Sequence, residues 1–199
     1  MSIKTITRTT AILLALLFNT AWAQSFSEGV NAYNEGDYGT ALEVFRSLAK
    51  EGSAEAQYNI GYMYEKGQGV PQADSIAVRW YRHASEQGNA NAQFNLGVMY
   101  ADGEGVLQDY SEALRWFRAA AEQGDAGAQN NLGAMYGNGN GVNQDQITAH
   151  MWFNIASANG SQKAREGRRI AAERMSREEI AEAQRRARAC MESGYQDCD

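Results

Sequence analysis

Ala90–Asp125 reads ANAQFNLGVMYADGEGVLQDYSEALRWFRAAAEQGD, and a shift of 36 residues lays it without a gap on the stretches either side. Ala54–Asn89 reads AEAQYNIGYMYEKGQGVPQADSIAVRWYRHASEQGN, and Ala126–Ser161 reads AGAQNNLGAMYGNGNGVNQDQITAHMWFNIASANGS. Matches recur at Gly61/Gly97/Gly133, Met63/Met99/Met135, Tyr64/Tyr100/Tyr136, Ala77/Ala113/Ala149, Trp80/Trp116/Trp152 and Gly88/Gly124/Gly160. So many coincidences at one period define an internal repeat. Periods of about 20–50 residues belong to arrays whose units bury their apolar faces only against one another.

Each unit reads as two antiparallel helices. Ser53, Asn89, Asp125 and Ser161 precede the successive units, and all four residue types satisfy free backbone N–H groups at a helix start. Ala56, Ile60, Met63 and Tyr64, then Ala92, Leu96, Met99 and Tyr100, recur at helical spacing. The second helix carries an apolar stripe at Ala77, Trp80, Tyr81 and Ala84, and Gly88 suits its C-terminal cap. Gly61, Gly97 and Gly133 fall inside first helices, where glycine costs up to ~1 kcal/mol. Their recurrence predicts a neighbouring helix too close for a side chain. Gly67-Gln68-Gly69-Val70 and its two copies follow a helix, with no strand before them and no third glycine or P-loop lysine. They read as helix caps and turns, not a phosphate cradle.

The pattern A-x-A-Q-x-N-[LI]-G-x-M-Y-x-x-G-x-G-V, followed by A-x-x-W-[YF]-x-x-A and glycine, resembles the Sel-1-like repeat family, a relative of the tetratricopeptide repeat. The resemblance covers Ala54 to Gly160. It implies an all-α fold, a right-handed α/α superhelical solenoid of about five antiparallel helix pairs. Upstream, Gly29, Ala32, Ala41, Phe45 and the turn Gly36-Asp37-Tyr38 resemble a plain tetratricopeptide unit, so 24–52 is expected to form an entry helix pair. Residues 53–161 hold the three repeats (54–89, 90–125, 126–161), and 162–199 read as divergent capping helices with a capping box at Ser176-Arg177-Glu178-Glu179.

The first residues carry Lys4 and Arg8, an apolar run from Ala11 to Phe18, and the small-x-small site Ala21-Trp22-Ala23. This is the layout of a Sec-type signal peptide cut after Ala23, which leaves a periplasmic or secreted chain. The apolar run is too short for a membrane span of roughly 20 residues, and no cysteine follows the cut for a lipid anchor. Residues 24–162 hold 16 acids and 7 bases, a net −9, whereas 163–188 hold 9 bases and 5 acids, a net +4. An acidic body disfavours nucleic acid and anionic lipid as partners. In the basic stretch glutamates alternate with the cations, so it reads as a solvated helix face. Cys190 and Cys198 are the only cysteines. An even number, close together in an exported chain, reads as one disulfide pinning the tail. The spacing also resembles that of cysteine-rich bacterial members of the family.

First helices line the concave side of such arrays. The tetratricopeptide register places Tyr33 and Asn34, then Tyr58, Asn59 and Tyr62, then Phe94, Asn95 and Val98, then Asn130, Asn131 and Ala134 on that side. Rings and amides together suit an extended peptide, the rings giving area and the amides pairing with its backbone. The competing reading is that Asn59, Asn95 and Asn131 only tie one helix to the next, with Trp80, Trp116 and Trp152 as core.

No catalytic residue is assigned. Ser47-Leu48-Ala49-Lys50 matches the Ser-x-x-Lys of penicillin-interacting enzymes, and cysteine-rich family members have been linked to weak β-lactam activity. The partner motifs Ser-Asp-Asn and Lys-Thr-Gly are absent, and the same repeat position holds His83, Ala119 and Ile155. His83 and His150 stand alone, without metal-ligand spacing, so neither metal nor cofactor is expected. The expectation is a protein-binding scaffold or adaptor of the bacterial envelope, with an envelope enzyme of penicillin-binding type and a regulator of a cell-wall enzyme as alternatives.

Overall fold

The computed structural model describes residues 25–198, so the expected signal segment and its cut after Ala23 lie outside the described residues. Ten helices follow in order among them. Helix α1 covers 25–34, and then come α2 (Tyr38–Lys50), α3 (Ala54–Lys66), α4 (Asp74–Glu86), α5 (Ala90–Asp102) and α6 (Tyr110–Ala121). The chain continues with α7 (Ala126–Asn138), α8 (Gln146–Ala158), α9 (Gln162–Ala172) and α10 (Arg177–Glu192). Each repeat is one pair, α3/α4, α5/α6 or α7/α8, and each pair packs on the next through α4/α5 and α6/α7.

The four residues that precede the units all cap helices. Ser53, Asn89, Asp125 and Ser161 accept backbone N–H groups of the first turn at 3.1, 2.9, 2.6 and 3.4 Å, each bond adding about 1 kcal/mol. The close approach expected at the mid-helix glycines is present. A Cβ on Gly97 would stand 2.7 Å from the Phe117 ring, and Gly61 and Gly133 face Tyr81 and Phe153 in the same way. Each ring of a second helix lies flat on glycine backbone. The second glycine of the inter-helix loop also marks a contact between units. Gly105 has φ +67°, and a Cβ there would stand 2.3 Å from the Asp74 carbonyl carbon at the start of α4.

A buried polar thread runs through the stack. Gln57, Gln93 and Gln129 are at most 8% exposed. Their Nε2 groups donate to the carbonyls of Ala49, Ser85 and Ala121 on the preceding second helix, at 3.5, 3.2 and 3.1 Å. Their Oε1 atoms accept from Gln87, Gln123 and Asn159, just past the end of their own second helix, at 2.7, 2.7 and 2.9 Å. One glutamine per unit thus satisfies itself in a place where an unpaired amide would be costly. A second ladder, nearer the surface, joins Arg46, Arg82 and Arg118 to the hydroxyls of Tyr64, Tyr100 and Tyr136.

The exit end departs from the repeat. Helix α9 stacks on α8 and touches α7, but α10 packs on α8 rather than continuing the series as a partner of α9. Ala183, Ala187 and Cys190 of α10 join Trp116, Met151, Trp152 and Ile155 in one buried cluster. Of the three tryptophans expected as core, Trp116 and Trp152 are buried, at 5% and 2% exposed, whereas Trp80, on the rim of the entry cluster, is half-buried. The capping box at Ser176 and Glu179 is formed, with bonds of 3.2 and 2.7 Å. The basic face is neutralised along its own helices. Arg169 bridges Glu166 and Glu173, and Glu182 holds Arg185 and Arg186. Cys190 and Cys198 are bonded, and within that closed loop the Tyr195 hydroxyl shares hydrogen bonds with the Asn159 amide at 2.9 and 3.0 Å. The tail is thereby fastened to the last link of the glutamine thread.

Candidate binding face

The first helices α1, α3 and α5 bring the expected aromatic residues into two groups of rings. Tyr33 lies 6.4 Å from Tyr62, Tyr62 lies 6.4 Å from Tyr58, and Tyr58 lies 5.8 Å from Tyr81 of the second helix, centroid to centroid. Further along, Phe94 packs on Phe117 at 6.0 Å, and its edge lies on Gly127 of the following unit. All four first-helix rings are half-buried. Tyr33, Tyr58 and Phe94 each rest on a second-helix ring, Tyr38, Tyr81 and Phe117 respectively. The Lys66 ammonium stands 5.5 Å from the Tyr62 centroid, a cation–π contact.

The amides divide into spent and unspent groups. Asn34 is exposed. Asn59 donates to the Glu55 carbonyl of its own helix at 2.7 Å. Asn95 donates to the Tyr81 hydroxyl at 3.0 Å, and that hydroxyl donates to Glu65 at 2.6 Å. Asn95 is therefore a tie between helices. Asn131 has no such partner, because Phe117 replaces Tyr81 at the repeat-equivalent position. Its side-chain oxygen accepts the neighbouring Asn130 amide at 3.5 Å. Burial, chiefly, raises the phenol pKa of Tyr33 and Tyr58. That of Tyr81 is raised further by burial and then by its bond to Glu65. All three hydroxyls stay protonated at neutral pH, able to donate and accept.

Val98, Asn131 and Ala134, expected on this face, come together at a pocket of about 280 Å³ between the second and third repeats. Asp102, Tyr110 and Asn140 complete its polar lining, over a floor that includes Phe117 and Met135. The sequence reading did not include Asp102 at the end of α5, Tyr110 and Phe117 of α6, Met135 of α7 or Asn140 of the loop. Neither did it include Tyr38 and Gln68, where Gln68 accepts the Tyr33 hydroxyl at 2.5 Å and donates to Tyr38 at 3.3 Å. Their signal was variation between copies at positions outside the first helix.

Ser47 and Lys50 are exposed on α2. His83 is exposed beside the Trp80 ring, and His150 is buried, its pKa lowered by burial and then by the charge of Arg168. Among the described residues no group of three or more His, Cys, Asp or Glu side chains could hold a metal, and no helix is long and apolar enough to cross a membrane.

Comparison with known proteins supplies the family. The Sel1 repeat model matches residues 54–89, 90–125 and 126–161. A crystal structure of a protective antigen present in uropathogenic Escherichia coli strains, displaying an SLR fold, is similar over 87% of this chain and 39% of its own, at 30% identity and a TM-score of 0.77. A Sel1 repeat protein from Oxalobacter formigenes is similar over 70% of this chain and 56% of its own, at 36% identity and a TM-score of 0.66. The chain thus spans well under two thirds of either neighbour. The search of curated proteins returned no match. With helix pairs in an α/α superhelical solenoid and three matched units covering over half its length, the chain belongs to the Sel1 repeat family.

Proposed function

We propose that this chain is an exported scaffold or adaptor of the bacterial envelope that holds a segment of a partner protein along the concave face of its first helices. Sel1 repeats generally mediate protein–protein interactions. The observation that carries the finer reading is the set of half-buried rings Tyr33, Tyr62, Tyr58 and Phe94, with Tyr58 braced by Tyr81 and Phe94 by Phe117. Rings held in this way offer contact area without losing rotamer freedom on binding. Asn34, Asn130 and Asn131 add donors and acceptors for an extended backbone. A disulfide at Cys190–Cys198 supports an oxidising compartment, in keeping with the signal-like residues 1–23.

The test is crosslinked capture from envelope extract by the chain starting at Gln24, compared with a variant carrying Tyr62→Ala and Phe94→Ala. Loss of the captured partner with unchanged helical circular dichroism and melting point is expected. A variant that captures as well as the parent sinks the concave-face reading. Export is tested separately, by fractionating cells that express the full chain and measuring the mass of the product, which should begin at Gln24.

A further inference from the structure

We propose that the pocket between the second and third repeats takes one lysine or arginine side chain of the bound segment, an assignment that rests on the concave-face reading. The pocket exists because of what its two units lack. At the junction one repeat earlier, the equivalent positions hold Tyr62, where the pocket has Val98, Glu65, where it has Ala101, and Lys66, where it has Asp102. There the Tyr81 hydroxyl is gripped by Glu65 at 2.6 Å and Asn95 at 3.0 Å. At the later junction the ring is Phe117, with no hydroxyl, and the amide is Asn131, with no ring to hold. Space and polar capacity are released together.

The chemistry of the lining selects the occupant. Val98, Ala101 and Ala134, all part-exposed, offer an apolar wall over the nearly closed Phe117 and Met135, and Asp102, Asn131 and Asn140 supply the polar groups. Asp102 has no ion pair or hydrogen bond among the described residues. An acidic occupant would meet its carboxylate and the net −9 of residues 24–162. A wholly apolar one would desolvate a carboxylate and two amides without pairing them, which is costly. A long cationic side chain does neither. Its methylenes lie on the wall while its head reaches Asp102 and the amide oxygens. The acidic body also speeds the approach of a basic segment.

The probes are Nα-acetyl-lysine amide and Nα-acetyl-arginine amide, titrated to millimolar levels into the isotopically labelled chain starting at Gln24 and followed by backbone amide NMR shifts. The norleucine and glutamate amides serve as controls. Saturable shifts confined to residues 98–102 and 131–140 are expected for the cations, weakening with salt. Asp102→Asn should lower the affinity roughly tenfold, as loss of one charge-assisted contact would, with an otherwise unchanged spectrum. Absence of such shifts, equal shifts with norleucine amide, or indifference to Asp102→Asn overturns the assignment. A display library of random peptides separates this from the parent reading. Selected segments that lack a basic residue, and whose capture needs Tyr62 and Phe94 but not Asp102, keep the concave face and reject the pocket. Failure to select any segment counts against the concave face itself.

Discussion

The two junctions between the matched repeats share a backbone and differ in a handful of atoms. Between the first and second units, Tyr81 stands on Gly61, stacks on Tyr58 at 5.8 Å and closes a chain of hydrogen bonds from Asn95 through its hydroxyl to Glu65. Between the second and third, Phe117 stands on Gly97 and stacks on Phe94 at 6.0 Å, but the ring has no hydroxyl to bridge to Asn131, and a cavity of about 280 Å³ remains. Positions repeated in every copy place the helices. The positions that vary then decide whether a given junction is a lock or an opening. A solenoid can therefore acquire a site by losing side-chain atoms from a tie, with no change of fold.

The largest effects should show that the rings are structural equals despite this difference. Tyr81 and Phe117 are both buried, at 0% and 2% exposed, so Tyr81→Ala and Phe117→Ala should each cost about 3–5 kcal/mol. Urea denaturation reads this directly. A Phe117→Ala cost near zero would mean that the open junction bears no load. Next comes the lock itself. Tyr81→Phe keeps the ring and strands the Asn95 amide, for a cost of about 1 kcal/mol. In a double-mutant cycle with Asn95→Ala the two costs should fail to add, by about 0.5 kcal/mol or more. Full additivity would dissolve the tie.

The reverse construction sharpens the comparison further. Phe117→Tyr with Ala101→Glu copies the lock into the second junction, where Asn131 already waits. The pair should couple favourably by about 0.5–1 kcal/mol and abolish the shifts caused by acetyl-lysine amide. Single substitutions should do neither in full. Coupling without loss of probe binding would show that the lock can form while the cation site lies elsewhere.

How much of this was legible in the sequence follows from what repeats. Caps, turn glycines and the glycines under the rings recur at one period, so each copy confirms the others, and the structure places them as read. The glutamine thread recurs just as strictly at Gln57, Gln93 and Gln129. Its meaning stayed hidden because a buried amide and a surface amide look alike until the carbonyl it serves is known. Helix α10 has no second copy to reveal it. Its buried stripe of Ala183, Ala187 and Cys190 lies among charged residues, and nothing local says that it will lean on α8. On the candidate face the rings were found and the pocket was not, since a cavity is marked by absent atoms on helices far apart in the chain.

The smallest expected effect concerns a repeat position where the third unit departs from its neighbours. Val78, Leu114 and His150 are equivalent, and His150 is 3% exposed with its Nδ1 unpaired. Burial, and then the charge of Arg168 on α9, lowers its pKa from the ordinary 6.5. The unfolded chain therefore takes up the proton first as the pH falls, and stability declines once the pH drops below about 6.5. The carboxylates that act in the same direction do so later. Glu166 beside Arg169, and Glu182 beside Arg186 and Arg185, titrate below the usual carboxylate range, so their contributions are lost only in stronger acid. His150→Leu installs the residue of the second unit and should flatten the thermal stability profile between pH 7 and pH 5 while leaving the more acidic decline in place. Melting curves across that range decide the matter. An unchanged slope in the variant means that another group governs the window, and the third unit then gains no pH sensitivity from its histidine.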